Sequence, residues 1–292
     1  MSIQQNKQIF EVNDKFVLKS SQPRKLNSRK GENGRVAIIG GSYLYHGAPL
    51  LSALGASKTG VDLVYIAVPP TLVTPIRSYS PNFIVIPLPD GKMTKGCINK
   101  LLKWLPDVDS AVIGPGVGRQ RTDGLKNLVR ELCSRNVKIV LDADALRPEI
   151  ASEVSGKDAV VTPHDGEFKR LFRAELDKSV EVRTKTVQDF AAKEKLTILS
   201  KGNIDIISNG FRTALNRTGT PAMTVGGTGD VLAGVVSGLI AQGMEPFAAA
   251  SSGAYVTGLA GELASEHLGL HISPTDLISK LPYVLKRFDN SK

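Results

Sequence analysis

Residues 225–243, VGGTGDVLAGVVSGLIAQG, place three glycines and an aspartate directly in front of an apolar helix. A plain helix start needs one capping side chain. It does not need Gly226, Gly227 and Gly229 gathered around Thr228, with Asp230 just inside. Glycine is entropically costly to order, so this concentration asks for a compensating gain. A helix start exposes unpaired N–H groups and a partial positive charge. Glycines let that backbone come close to a ligand, and together these features make a cradle for an anion such as a transferring phosphoryl group. The stretch lacks the Walker pattern GxxxxGK[ST], and no lysine follows it, so the cradle would act through backbone N–H groups alone. Asp230 at its mouth could accept a proton from an attacking hydroxyl. A helix-capping aspartate with glycines for close packing explains the same letters equally well. Gly234 and Gly238, four apart, suit helix packing.

Outward from this stretch, apolar strands alternate with helices. Strands are expected at 35–39, 61–68, 83–88, 110–113, 137–141, 159–161 and 196–200. Helices are expected at 47–59, with Leu50, Leu51 and Leu54 on one face, and at 97–104, 122–134 and 179–194. Pro69-Pro70 ends the second strand. Asn209-Gly210, between 204–208 and 212–215, is a hairpin signal. The remainder reads as helical over 228–242, 246–266 and 274–281, the last entered through Ser273-Pro274. Residues 1–34 read as an extension with one short helix. The pattern predicts an α/β fold with a central, mostly parallel sheet and helices on both faces. Ligands of such sheets collect at the carboxyl ends of the strands. GGSYLYHG, GPGVG, DADAL, TPHDGE and KGNID all fall there, which suggests one extended crevice.

The composition, 41% hydrophobic and 22% charged over 292 residues, is that of an ordinary globular protein. Apolar runs break well short of a membrane span, and the first residues carry no signal-peptide core, so no membrane role and a cytoplasmic location are expected. Cys97 and Cys133 show no metal or redox spacing and read as buried or idle thiols. The net charge of +9 raises the question of nucleic acid. Residues 1–30 hold seven basic side chains against Glu11 and Asp14, over half of that excess. No basic run is interleaved with aromatics, which make up 5% of the chain. A basic surface that attracts an anionic small molecule fits better than a nucleic-acid partner.

Other segments carry candidate chemistry. In TPHDGEF, Pro163 ends a strand, and His164, Asp165 and Glu167 crowd the next helix start. Glu167 could orient water on Mg²⁺, and His164 could hydrogen-bond a substrate. Alternatively Asp165 caps the helix, Glu167 sits in its first turn and His164 is a surface residue. Four histidines without an HxxxH or His/Cys cluster speak against zinc. GGSYLYHGAP is not GxGxxG, so a Rossmann dinucleotide site is poorly supported. Its glycines and Ser42, like GPGVG, serve a tight turn or a close approach to ligand. Asp142 and Asp144 in DADAL could hold a metal or a hydroxyl, or cap a turn. Lys201 could meet a nucleotide phosphate, with the following hairpin as the wall of a purine site.

Taken in order, IIGGS, GAP, GPGVG, DADAL, TPHDGEF, KGNID and GGTGDVLAG resemble the NAD(P)H-hydrate dehydratase family of the ribokinase-like superfamily. GGTGD alone points to the superfamily, and TPHDGEF with GGTGDVLAG to the family. The resemblance covers residues 31 to 282, nearly the whole chain. It implies a basic N-terminal extension over 1–30 and a single ribokinase-like domain over 31–292. It also implies ADP- or ATP-dependent removal of water from the S epimer of NADH or NADPH hydrate. The hydroxyl at C6 of the nicotinamide ring is phosphorylated, phosphate is lost, and AMP or ADP is released. Mg²⁺, a separate epimerase as functional partner and a homo-oligomer, commonly a tetramer, are expected with it.

By the same resemblance, Asp230 would take the hydroxyl proton. Gly227, Thr228 and Gly229 would form the anion hole. Lys201, Gly202, Asn203, Ile204, Asp205 and Gly229 would bind the nucleotide. Ala48, Gly116, His164 and Asp230 would line the hydrate pocket, and Glu167 would reach Mg²⁺ through water. A kinase of a vitamin precursor, of the hydroxyethylthiazole type, shares the fold and is the nearest rival. TPHDGEF and KGNID favour the dehydratase. A nucleotide sensor or nucleic-acid-binding protein would show salt-sensitive binding, and the Gly-Thr-Gly-Asp set argues against it.

Overall fold

Alternation along β2 (Arg35–Ile39) shows how the sheet is buried. Val36 and Ile38 enter one helix layer, while Ala37 and Ile39 enter the other. Strands buried on both faces need continuous apolar runs, and these short Val/Ile/Ala segments supply them. The computed structural model describes residues 8–118 and 122–289. The other strands are β1 (Gln8–Glu11), β3 (Leu63–Val68), β4 (Ile84–Pro87), β5 (Ser110–Ile113) and β6 (Lys138–Leu141). They continue with β7 (Ala159–Val161), β8 (Thr197–Ser200), β9 (Asp205–Ser208) and β10 (Arg212–Asn216). They form one sheet in the order β1-β10-β9-β8-β7-β6-β5-β2-β3-β4. Every pairing is parallel except the two made by β9. The order turns back between β2 and β5, so the loops after those two strands diverge and open a crevice.

The first helices are α1 (Asp14–Ser20), α2 (Gly47–Lys58), α3 (Pro70–Tyr79), α4 (Lys95–Trp104), α5 (Thr122–Ser134) and α6 (Pro148–Ala151). After them come α7 (Asp165–Phe172), α8 (Val180–Glu194), α9 (Thr228–Ala241), α10 (Pro246–Leu268) and α11 (Pro274–Leu285). Side chains of α2, α3, α9, α10 and α11 pack on one face, and those of α4 to α8 on the other. The expected α/β architecture with both faces covered is therefore present. Cys97 and Cys133 are free thiols, and burial pushes both above the ordinary thiol range. Among the described residues no helix is long and apolar enough to cross a membrane.

Helix α9 is the central element of its layer. Every side chain from Val231 to Ala241 is buried. It lies against α2 through small residues. A methyl group at Gly234 would stand 1.9 Å from Ser52 O, and one at Gly55 would stand 2.5 Å from Val231 O. Two hydroxyls fix its depth: Ser52 Oγ donates to Asp230 O (2.9 Å), and Ser110 Oγ donates to Ser237 O (2.7 Å). Ser110 opens β5 and Ser52 lies early in α2, so α9 runs antiparallel to the strands and presents its head at their carboxyl ends.

Three details go beyond the sequence reading. The face that α2 buries is Ser52, Ala53, Gly55 and Ala56, whereas Leu50, Leu51 and Leu54 are partly covered. Backbones this close leave no room for leucine between them. A helix, α3, begins at Pro70, where the ring's fixed φ suits the first helical position. The segment before residue 35 contributes β1 as well as a helix. Gln8–Glu11 pairs in parallel with β10, and Asp14 bonds Tyr255 Oη (2.9 Å) and Arg287 Nη2 (2.6 Å). Lys7, counted with the basic extension, lies outside the described residues.

Candidate active site

The head of α9 is open. Gly227 adopts φ 103°, which favours glycine, and supplies no capping side chain. The leading N–H groups of the helix have no intrahelical acceptor by geometry. A methyl group at Gly226 would meet nothing within 4 Å, so solvent reaches the mouth. The hydroxyl of Thr228 is tied to the carbonyls of Met223 (2.9 Å) and Val225 (3.1 Å), which leaves its N–H for a ligand.

The cradle is not made of backbone alone. Lys201, just past the end of β8, reaches it from across the sheet, and a methyl group at Gly229 would lie 3.3 Å from its Nζ. The ammonium stands 3.0 Å from Asp142 Oδ1 and 3.6 Å from Glu167 Oε2. Burial alone would push its pKa down, but Asp142 and Glu167 outweigh that and hold it above the ordinary lysine value. Asp142 is 2% exposed and also accepts from Thr162 Oγ1 at 2.7 Å. The next residue, Ala143, has φ 50°, a strained value for a residue with a side chain. That reversal separates two neighbouring carboxylates: Asp142 turns to Lys201, while Asp144 accepts from Gly118 N at 2.8 Å.

Asp230 sits half-buried beside this cluster. Burial, then the negative charge of Asp142, raise its pKa to about 7, with Lys201 pulling the other way. A carboxylate poised there takes up a proton near neutral pH, as a general base requires.

On one side of this cluster lies the segment His164–Glu167. His164 caps α7, its Nδ1 accepting from Gly166 N (3.0 Å) and Glu167 N (3.3 Å). Glu167 Oε2 accepts in return from His164 N at 3.0 Å. This reciprocal capping box replaces the expected cap by Asp165. His164 is exposed and Glu167 is buried. On the other side, GPGVG sits against GGSYLYHGAP. A methyl at Gly116 would approach Tyr45 O to 2.5 Å and Ala48 Cβ to 3.2 Å. Ala48 and Gly116 are thus neighbours, while His164 stands at the far end of a chain of contacts through Asp144, Asp142, Lys201 and Glu167.

The segment 201–205 forms the rim beyond Lys201. Gly202 and Asn203 are exposed and Ile204 is half-buried. Asp205 turns inward. Its Oδ1 accepts from Gly202 N (2.9 Å) and its Oδ2 from Asn216 Nδ2 (3.0 Å), which braces the loop. Burial raises its pKa against those hydrogen bonds. Asp142, singled out only as one of two candidate carboxylates, proves to be the partner of Lys201. Arg183, near the start of α8, touches both loops and carried no local signal.

Among the described residues no group of three histidine, cysteine or acidic side chains is arranged to hold a metal ion. Mg²⁺ that arrives with nucleotide phosphates needs only one or two carboxylates and keeps its waters, so hard oxygen donors such as Glu167 suit it.

The chain is similar to known proteins. The profile of the family described as NAD(P)H-hydrate dehydratase matches residues 36–283. The ADP-dependent (S)-NAD(P)H-hydrate dehydratase of Nitrosopumilus maritimus is 49% identical over 275 residues, 94% of this chain and 96% of its own length. The crystal structure of the ADP/ATP-dependent NAD(P)H-hydrate dehydratase of Bacillus subtilis, co-crystallised with ATP and Mg²⁺, superposes with TM-score 0.79 at 27% identity. That match covers 93% of this chain and 96% of that one. Hydroxyethylthiazole kinase from Pyrococcus horikoshii shares the fold at TM-score 0.61 and 18% identity, over 94% of each chain. With a profile matching most of its length and a relative sharing half its residues, the chain belongs to the NAD(P)H-hydrate dehydratase family.

Proposed function

We propose that this chain removes water from the S epimer of NADH or NADPH hydrate, using a nucleoside diphosphate or triphosphate as phosphoryl donor. One observation carries the reading: the amide-lined head of α9, the Lys201 ammonium and the Asp230 carboxylate meet at one point. ADP is the donor proposed first, because the 49%-identical relative is named for it.

The chemistry follows from leaving groups. Hydroxide is a poor one, and a phosphate ester is far better. Asp230 accepts the proton of the C6 hydroxyl as its oxygen attacks the terminal phosphorus of the nucleotide. The bond from phosphorus to the bridging oxygen breaks, and AMP leaves from ADP, or ADP from ATP. The amides at Gly227, Thr228 and Gly229, with Lys201, stabilise the charge on the migrating phosphoryl group. The ring nitrogen then expels phosphate from C6, and loss of a proton from the adjacent ring carbon restores the double bond. Asp142 and Glu167 keep the ammonium charged and in place. Gly202, Asn203 and Ile204 offer the nucleotide surface, with Asp205 as their brace. Ala48, Gly116 and His164 bound the hydrate. Mg²⁺, reached by Glu167 through water, would neutralise phosphate charge. An epimerase that converts the R epimer, and assembly into a tetramer, belong to the same proposal.

The deciding experiment incubates purified protein with NADH hydrate and ADP or ATP, with and without Mg²⁺. Recovery of NADH absorbance with release of phosphate is expected. Absence of recovery, with hydroxyethylthiazole phosphorylated instead, would overturn the reading.

A further inference from the structure

The guanidinium of Arg183 lies between the two loops that bound the site. Its Nη2 is 2.7 Å from Asp165 Oδ1, in the segment that carries His164 and Glu167. The same nitrogen donates to Lys201 O at 2.9 Å and lies 3.2 Å from Ser200 Oγ, in the segment that carries the proposed nucleotide surface. Nη1 adds a second contact to Asp165 at 3.3 Å. A methyl group at Gly202 would come within 2.8 Å of Nη2, so the loop lies directly on the guanidinium plane. The side chain is 13% exposed, and its Nε is buried with no hydrogen-bond partner. It projects from α8, a helix held rigidly by its buried face of Thr184, Val187, Gln188 and Ala191 and by Gln188 Nε2 bonded to Thr213 Oγ1 at 3.0 Å.

Such a placement leaves a charged donor incompletely satisfied in order to join two loops. A planar fork on a rigid helix suits that task, because it can bond two partners at a set separation. We infer that Arg183 is a positioning residue, holding segment 200–205 in its nucleotide-accepting shape and in register with the His164–Glu167 segment. It touches no reacting atom. The inference rests on the proposed nucleotide role of 201–205.

The test measures ADP affinity by titration calorimetry, which reads binding without turnover, alongside kcat at saturating ADP. Arg183→Met is expected to weaken ADP binding about tenfold while kcat falls less than about threefold, because saturating nucleotide reorders the loop. Arg183→Lys keeps the charge but loses the fork, and should recover only part of the affinity. Lys185→Met, on the exposed side of the same helix, serves as control and should bind as wild type. Unchanged ADP affinity in Arg183→Met, or full rescue by Arg183→Lys, overturns the inference. If Arg183→Met does not fold, the exposed Asp165→Asn decides: a loss of about two- to threefold supports the link, and no change overturns it. Wild-type protein that recovers no NADH would defeat the functional reading. Active protein with indifferent Arg183 variants defeats only this inference.

Discussion

Helix α9 uses the same residue for opposite purposes at its head and in its body. In the body, a side chain at Gly234 would run into the carbonyl of Ser52 at 1.9 Å, and one at Gly238 into Thr59 Oγ1 at 2.3 Å. Those glycines fit because the space is already filled, by the Ser52 backbone at Gly234 and by the Thr59 side chain at Gly238. At the head, a side chain at Gly226 would meet nothing, and one at Gly229 would meet only the tip of Lys201. Packing cannot account for bareness that faces open space. The contrast separates glycines that close a helix pair from Gly226 and Gly229, whose bareness packing does not explain; Gly227 between them is packed, since a methyl group there would stand 2.6 Å from Leu51 Cδ1. It also shows why the two ends depend on each other. The tight contact with α2 determines where the open mouth points.

Four substitutions sharpen or break this contrast. The largest effect is expected from Asp230→Asn at the head, which keeps the shape and removes the base. Recovery of NADH should slow by more than about 100-fold, in line with general-base contributions. Near-normal turnover would detach Asp230 from the chemistry. Next comes the body: Gly234→Ala should cost about 1–3 kcal/mol of unfolding free energy by overpacking, read from denaturant titration. An unchanged midpoint would mean that α2 and α9 separate more easily than their geometry suggests.

His164→Ala should raise the KM for hydrate and remove a helix cap worth about 1 kcal/mol. Asn is a good cap, so His164→Asn should restore the melting temperature while KM stays high. Recovery of both together would mean that capping is the whole role of His164. The last prediction concerns stability and pH. Asp230 has a folded pKa near 7, above its ordinary value of 3.8. Its favourable contribution is therefore fully present below about pH 4 and is lost as pH rises through about 7. Asp230→Asn escapes that loss, so its melting temperature should exceed wild type by more at pH 8 than at pH 4. An equal difference at both pH values would deny the perturbed carboxylate.

Much of the architecture was legible because short Val/Ile runs ended by glycine or proline leave few alternatives to buried parallel strands. β1 was not legible. Its four residues, QIFE, are mostly exposed at the sheet edge and carry no apolar alternation. Helix α3 hid behind Pro70 and the internal Pro75. The buried face of α2 was not legible, because close helix contact selects serine, alanine and glycine rather than the leucines that mark a helix face in the sequence. At the site, the head of α9 was marked by its glycines. The company of Lys201 was not, since Asp142 and Lys201 lie 59 positions apart and meet only when β6 and β8 flank β7. Arg183 was invisible for the same reason: its partners belong to loops that only the folded sheet brings together.

The pairing of β1 with β10 has a consequence for biosynthesis. Gln8 aligns with Arg212, and Glu11 bonds Arg217, so an early-translated strand finds its neighbour only after some two hundred further residues have emerged. Until β10 emerges, β1 is without the strand it pairs with. Ribosome-bound intermediates stalled before residue 212 should therefore be sticky and protease-sensitive around β1. Completion of the edge would make a sharp marker for the moment the polypeptide commits to its native form.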